Sequence, residues 1–172
     1  NDQIDGGRGN DRIEGGDGDD IIDGGADNDR IFGGNHDDVI STGSSDTGPS
    51  GALFDGATGA PGGQWHEVVH GDAGSELIQA SYATATVFVN AGDGADNVYG
   101  SPATNEIHGG SGTDWLEGGV VDDKIFGEGH DDMIWGDGGS DKLDGADGYD
   151  YIEGDYGPDT ISGGPGGDVI WS

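Results

Sequence analysis

A nine-residue period runs through most of this chain, and few folds can accommodate it. Written in nines from Gly6, the sequence reads GGRGNDRIE, GGDGDDIID, GGADNDRIF and GGNHDDVIS. From Ala91 it resumes as AGDGADNVY, GSPATNEIH, GGSGTDWLE, GGVVDDKIF, GEGHDDMIW, GDGGSDKLD, GADGYDYIE, GDYGPDTIS and GGPGGDVIW. Position six is Asp in every unit but one, where Asn105 replaces it, and position eight is always aliphatic, from Ile13 to Ile170. Such a period fits neither an amphipathic helix nor an alternating strand. Six residues rich in Gly, Asn and Asp make a turn, because they tolerate positive φ and close backbone approach. Three residues then make a short strand whose middle side chain points inward. Two units form one coil of a flattened solenoid, so that residues eighteen apart stack around a narrow double file of Ile, Leu and Val.

Composition says what such a coil lacks. Of 172 residues 40 are Gly and only 30% are hydrophobic, so apolar burial offsets little of the chain's conformational entropy. A small core is commonly supplemented by disulfides or metal, and Cys is absent. The 36 acidic residues stand against 5 basic ones, a net charge of -31, for which hard divalent cations with oxygen ligands are the natural counter-charge. Nucleic acid and anionic membranes need a basic patch, and only Arg8, Arg12, Arg30, Lys124 and Lys142 are present. No apolar run reaches the length of a membrane span, and no signal peptide is recognisable.

The units follow the pattern G-G-x-G-x-D-x-U-x and resemble the RTX family, the hemolysin-type calcium-binding repeats. The resemblance is good over 1–41 and 91–171 and loose over 62–90. It implies an all-β, right-handed parallel β-roll with Ca2+ between turns on both edges, in a protein exported by a type I system and folded outside the cell, typically of a Gram-negative bacterium.

The resemblance also implies ligands: positions two, four and six of one turn with positions one, three and five of the turn eighteen residues on. They are mainly backbone carbonyls, plus the carboxylate at position six. Carried over, Gly7, Gly9 and Asp11 would share an ion with Gly24, Ala26 and Asn28, and Gly16, Gly18 and Asp20 with Gly33, Asn35 and Asp37. Gly92, Gly94 and Asp96 would face Gly109, Ser111 and Thr113, while Gly110, Gly112 and Asp114 would face Gly127, Gly129 and Asp131. Gly119, Val121 and Asp123 go with Gly136, Gly138 and Ser140, the Val being tolerable because only its carbonyl is needed. Glu128, His130 and Asp132 go with Gly145, Asp147 and Tyr149. Asp137, Gly139 and Asp141 go with Gly154, Tyr156 and Pro158, and Ala146, Gly148 and Asp150 with Gly163, Pro165 and Gly167. Asp2 is a weaker candidate. Asn105 offers a neutral oxygen and is expected to be weak, Asp29 and Asp38 face an insertion, and Asp159 and Asp168 have no downstream turn, so these are half-sites. Pairing turns this way gives roughly ten ions, which would offset about two-thirds of the net charge.

The frame breaks in the middle. Residues 42–61 (TGSSDTGPSGALFDGATGAP) read as a looped insertion, with Leu53 and Phe54 expected to tuck against the roll. GGQWHEVVH and GDAGSELIQ follow, with Glu67 and Glu76 at position six, and ASYATATVFVN carries two extra residues and no acid. These coils, 62–90, are expected to bind little or no calcium and to rely on Val69, Ile78, Val87 and Val89. His66-Glu67-Val68-Val69-His70 matches the zinc-protease pattern H-E-x-x-H, but that chemistry needs a helix. The β-branched pair and flanking glycines oppose one, so the module itself is not read as an enzyme. His36, His108 and His130 are expected to be exposed.

Outward strand positions also stack at eighteen. One sheet presents Trp115, Met133, Tyr151 and Val169 beside Tyr99, Glu117, Trp135, Glu153 and Trp171. This aromatic face is a candidate surface for a flanking domain, another copy of the protein or a carbohydrate. The leading reading is a calcium-dependent structural or secretion-assisting module of a larger exported protein. The alternative is a polysaccharide- or partner-binding module of a secreted enzyme or adhesin, using the Trp115, Trp135 and Trp171 face. The sequence begins and ends inside a repeat, which favours a longer parent.

Overall fold

The computed structural model describes residues 1–25, 29–42, 66–80 and 86–172. Those residues form strands and turns and no helix, so none is long and apolar enough to cross a membrane. The first strands are β1 (Gln3–Asp5), β2 (Arg12–Asp17), β3 (Ile21–Asp23), β4 (Arg30–Asn35) and β5 (Val39–Ser41). The middle holds β6 (His66–Ala73), β7 (Leu77–Gln79), β8 (Thr86–Asp93), β9 (Asn97–Tyr99), β10 (Asn105–Ser111) and β11 (Trp115–Gly119). The remainder are β12 (Lys124–Gly129), β13 (Met133–Asp137), β14 (Lys142–Asp147), β15 (Tyr151–Glu153), β16 (Thr160–Ser162) and β17 (Val169–Trp171). Odd-numbered strands make one nine-stranded parallel sheet and even-numbered strands an eight-stranded one. The molecule is therefore a parallel β-roll of about eight coils, two nine-residue units to the coil.

Register shows why the period is nine. Ile4 pairs with Ile22 and Ile22 with Ile40, and Val98 pairs with Leu116, Leu116 with Ile134 and Ile134 with Ile152, each step being eighteen residues. Position eight of every unit thus lands on the inner face. In the middle the steps change while the stacking continues: Ile40 pairs with Ile78, 38 residues on, and Ile78 with Val98, 20 residues on. The first step is twenty residues longer than the repeat and the second two longer. Thr42, the first residue expected in the insertion, remains in the coil, its N–H donating to the Gln79 carbonyl at 3.3 Å. Leu53 and Phe54 lie outside the described residues.

Expected three-residue strands are too short for much of the eight-stranded sheet, where β6 and β8 run to eight residues. Pairing there continues round the bend, as between Gly110 and Glu128. Left-handed backbone recurs at positions two and four, where Gly110 (φ 109) lies against the Gly92 carbonyl of the coil below. His36, Glu128, His130, Asp137, Ala146 and Asp155 adopt positive φ without being Gly. Such residues are strained unless the surroundings hold them.

The core is one residue wide on each sheet. Ile22, Ile40, Ile78, Leu116, Ile134 and Ile152 line one side, and Ile31, Val69, Val89, Ile107, Ile125 and Leu143 the other, all essentially inaccessible. Each side chain packs against the coils above and below, so burial fails at the last one, where Ile170 is 46% exposed. Ile134→Ala should therefore cost about 2–5 kcal/mol in calcium-saturated protein, against less than about 1 kcal/mol for Ile170→Ala, measured by denaturant unfolding.

Candidate metal centre

Position six lies where each turn enters its strand, and the fold draws its side chain beneath the backbone of the turn. Asp20, Asp38, Asp96, Asp114, Asp123, Asp132, Asp141 and Asp150 are all buried despite their charge. One oxygen of each is accounted for. Asp132 Oδ1 accepts the N–H of Asp114 at 2.9 Å, Asp141 Oδ1 that of Asp123 at 2.8 Å, and Asp150 Oδ1 that of Asp132 at 2.9 Å, eighteen residues apart each time. The same bond ties Asp20 to Asp38 and Asp96 to Asp114. The other oxygen, Oδ2, is buried without a hydrogen-bond partner in Asp11, Asp20, Asp38, Asp96, Asp114, Asp123, Asp132, Asp141, Asp150 and Asp159. Leaving a carboxylate oxygen so is costly, and ten repetitions in phase call for a common partner.

Glycine at position one shows where that partner fits. A Cβ built on Gly109 would lie 2.5 Å from Asp114 Oδ2 and 2.9 Å from the Gly127 carbonyl oxygen of the next coil. On Gly118 the neighbours are Asp123 Oδ2 at 2.6 Å and the Gly136 carbonyl at 2.9 Å; on Gly136, Asp141 Oδ2 at 2.6 Å and the Gly154 carbonyl at 2.9 Å. Carboxylate and carbonyl oxygens thus converge with no donor between them. Among the described residues no three His, Asp or Glu side chains gather as a metal cluster. A cation here would take one carboxylate and several backbone carbonyls, a donor set of oxygens alone. That set fits calcium, which takes six to eight oxygen ligands in flexible geometry.

Electrostatics agree with a missing counter-charge. Burial pushes Asp114 up to about 6 and Asp123 and Asp132 up to about 7, against an ordinary 3.8, even though backbone hydrogen bonds pull the other way. Asp38, Asp96, Asp141 and Asp150 are also raised, with burial the leading cause.

A family model described as the RTX calcium-binding nonapeptide repeat, in four copies, matches residues 1–31, 14–46, 90–125, 108–143, 117–152 and 144–172. These matches span well over half of the chain. The chain belongs to that family. It is a calcium-binding structural module of RTX repeats, and no curated protein matches it significantly.

Against the RTX pattern, the structure brings Asp96, Asp114, Asp123, Asp132, Asp141 and Asp150 into register with the turns expected of them. Ala26 and Asn28 lie outside the described residues. Asp29 and Asp38, expected to face the insertion, face carbonyls: a Cβ on Gly24 would lie 2.7 Å from Asp29 Oδ2 and 3.0 Å from the Thr42 oxygen, and one on Gly33 would lie 2.5 Å from Asp38 Oδ2 and 2.9 Å from the Gly71 oxygen. Position-five carboxylates are taken up by bonds to the next coil: Asp131 Oδ1 accepts the Tyr149 N–H and Asp37 Oδ1 the Ser75 N–H. Gly119 and Val121 do not adopt positive φ, since a β-branched residue resists it, and that turn departs from its neighbours.

Asn105 does not offer its oxygen to the gap. Its Oδ1 accepts from the Ser101 N–H and Oγ, while Nδ2 donates to the Ser101 carbonyl at 3.0 Å, the Ala103 carbonyl at 2.8 Å and Asp123 Oδ1 at 2.9 Å. An amide NH2 therefore stands among oxygens at positions two and four. One coil earlier Val87, fully buried, takes position six, as its pairing with Asn105 shows. Glu76, excluded from the expected ligands, is also fully buried.

His108 is not exposed as expected. It stacks on Phe126 at 4.8 Å and packs against Phe88, with Nδ1 2.8 Å from Glu128 Oε1. The eighteen-residue spacing pairs His108 with Phe126 but misses Phe88, which sits at position seven and reaches diagonally across strands. His66–Ala73 is a strand, so the H-E-x-x-H segment lacks the helix its zinc chemistry needs, and His70 stacks on Phe32 at 5.1 Å. On the other sheet Trp115 and Trp135 stack at 4.2 Å, and Trp171 is 59% exposed.

Raised carboxyl pKa values set a sign. Protonated Asp123 and Asp132 favour the fold fully below about 4, and that contribution is lost as pH rises through about 7. In calcium-free buffer the β-structure seen by far-ultraviolet circular dichroism should therefore be greater near pH 4 than at pH 8. A β-content that rises with pH would contradict the raised carboxyls.

Proposed function

We propose that this roll is the calcium-dependent structural and secretion-assisting part of a larger protein, folding only where calcium is abundant outside the cell. The observation that carries it is the row of buried Oδ2 atoms, which in Asp11, Asp20, Asp38, Asp114, Asp123, Asp132 and Asp141 lie beside a position-one glycine and a carbonyl of the next coil. The ions sit between coils, bound by the carbonyls at positions two and four and the carboxylate at position six of one turn. Carbonyls at positions one, three and five of the following turn complete each shell. At sub-micromolar calcium, repulsion within a chain of net charge -31 keeps it unfolded and able to thread an exporter. Millimolar calcium then stabilises the native state alone, by mass action. The export route and a Gram-negative source rest on the family's habits rather than on this chain's residues.

The second reading, a glycan or protein partner on the Trp115, Trp135 and Trp171 face, has weaker support. Trp115 and Trp135 each spend a ring face on the other, which leaves Trp171 as the most open of the three.

Counting bound calcium tests the leading reading. Equilibrium dialysis with elemental analysis should find roughly ten ions per chain, with magnesium failing to replace them. A count of two or three would contradict it. Asn105→Asp removes the NH2 that caps the Ser101 and Ala103 carbonyls, and should raise the count by one; an unchanged count would show that the gap is closed for another reason.

A further inference from the structure

The coil formed by β6 and β7 lies between the stretches matched by the family model, and its sequence promised little metal. Glu76 occupies its position six, between Asp38 and Asp96 in the row along the nine-stranded sheet, as the pairing of Leu77 with Val39 and Asn97 shows. It is fully buried, and both Oε1 and Oε2 lack a hydrogen-bond partner. Here it departs from the aspartates. Each of those spends one oxygen on an N–H of the preceding coil and leaves one free. Glu76, a methylene longer, makes no such bond and leaves two.

Each free oxygen lies beside a glycine and a carbonyl from a neighbouring coil. A Cβ built on Gly71 would lie 3.0 Å from Oε2 and against the Ala91 carbonyl, and one on Gly74 would lie 2.5 Å from Oε1 and against the His36 carbonyl. Asp96 accepts the Glu76 N–H at 2.8 Å through Oδ1, and its own Oδ2 is buried and unpartnered. Neither carboxylate forms an ion pair among the described residues. A divalent ion can be bound by several of these oxygens at once.

We propose that Glu76 and Asp96, with the Ala91 carbonyl, bind a calcium ion in the coil formed by β6 and β7, through two carboxylates where the aspartate gaps supply one. This rests on the calcium reading of the roll and extends it to a coil outside the family pattern. The ion locks the joint at which the coil step changes from eighteen residues to 38 and 20, and makes the row on the nine-stranded edge continuous from Asp20 to Asp150. On the opposite edge the row is broken at Val87 and Asn105.

Bound calcium is counted at saturation on the whole chain for wild type, Glu76→Gln, Glu76→Asp and Asp114→Asn. Glu76→Gln should bind one ion fewer than wild type, Glu76→Asp the full number, and Asp114→Asn one fewer. A full count in Glu76→Gln beside a loss in Asp114→Asn overturns the Glu76 site and leaves the roll's calcium binding standing. No loss in Asp114→Asn overturns the calcium reading itself, and the inference with it. Should Glu76→Gln fail to fold, a crystal structure of calcium-loaded wild type decides. An ion about 2.3–2.6 Å from the Glu76 carboxylate supports the site, and a carboxyl pair with no ion there, beside ions at Asp114, overturns it.

Discussion

Every coil buries a carboxylate oxygen that no group among the described residues satisfies, and the rest of the structure depends on what neutralises it. The position-six Asp has to be drawn inward, because its Oδ1 holds the N–H of the coil below and so helps set the stacking distance. That bond fixes Oδ2 against glycine at position one and the carbonyl of the coil above. The element that orders the stack is thus also the element that repels itself. On the proposed calcium reading, an ion between coils would turn this repulsion into the force that holds them, and fold and metal would not be separable energetically.

The apolar core is the weaker partner in this arrangement. Outside the middle coils one large aliphatic side chain per unit is buried, in a chain where 40 of 172 residues are Gly. Such a core selects register, since a one-residue slip would turn Ile134 or Leu116 out to solvent. It does little against the entropy of ordering the turns. Polar and aromatic rows on the outer faces add local contacts: Phe32, His70, Phe88, His108 and Phe126 form a ladder on the eight-stranded sheet, with Arg12 and Arg30 over Phe32 and Lys142 over Phe126. Four of the five basic side chains lie at position seven of that sheet, close to Glu14, Glu106 and Asp144, where they relieve a little of the excess negative charge.

Much of this was legible in the sequence because the repeat is a geometric statement. The phase of Asp and of the aliphatic position gave the coil length, the two parallel sheets and the inward residues, Ile13 through Ile152, without any tertiary information. Where the phase was lost, so was the reading. Glu76 looked like a degenerate ligand, since one methylene more cannot be seen to free a second oxygen until its neighbours are placed. Asn105 looked like a weak oxygen donor, and the network around Ser101 and Ala103 shows the amide reversed. His108 sits straight across from Phe126 at a spacing of eighteen, and what that spacing misses is the diagonal reach of Phe88. All strands of the eight-stranded sheet but β16 run longer than three residues because backbone pairing survives the bend, which depends on φ at positions two and four.

The central claim is that the coils are held apart by their carboxylates and together by calcium. Far-ultraviolet circular dichroism of the whole chain, taken at neutral pH in excess chelator and again in millimolar calcium, tests it most directly. The account predicts a disordered spectrum in chelator, a cooperative gain of β-structure with calcium, and no such gain with magnesium. A β-roll spectrum that persists in chelator would contradict it.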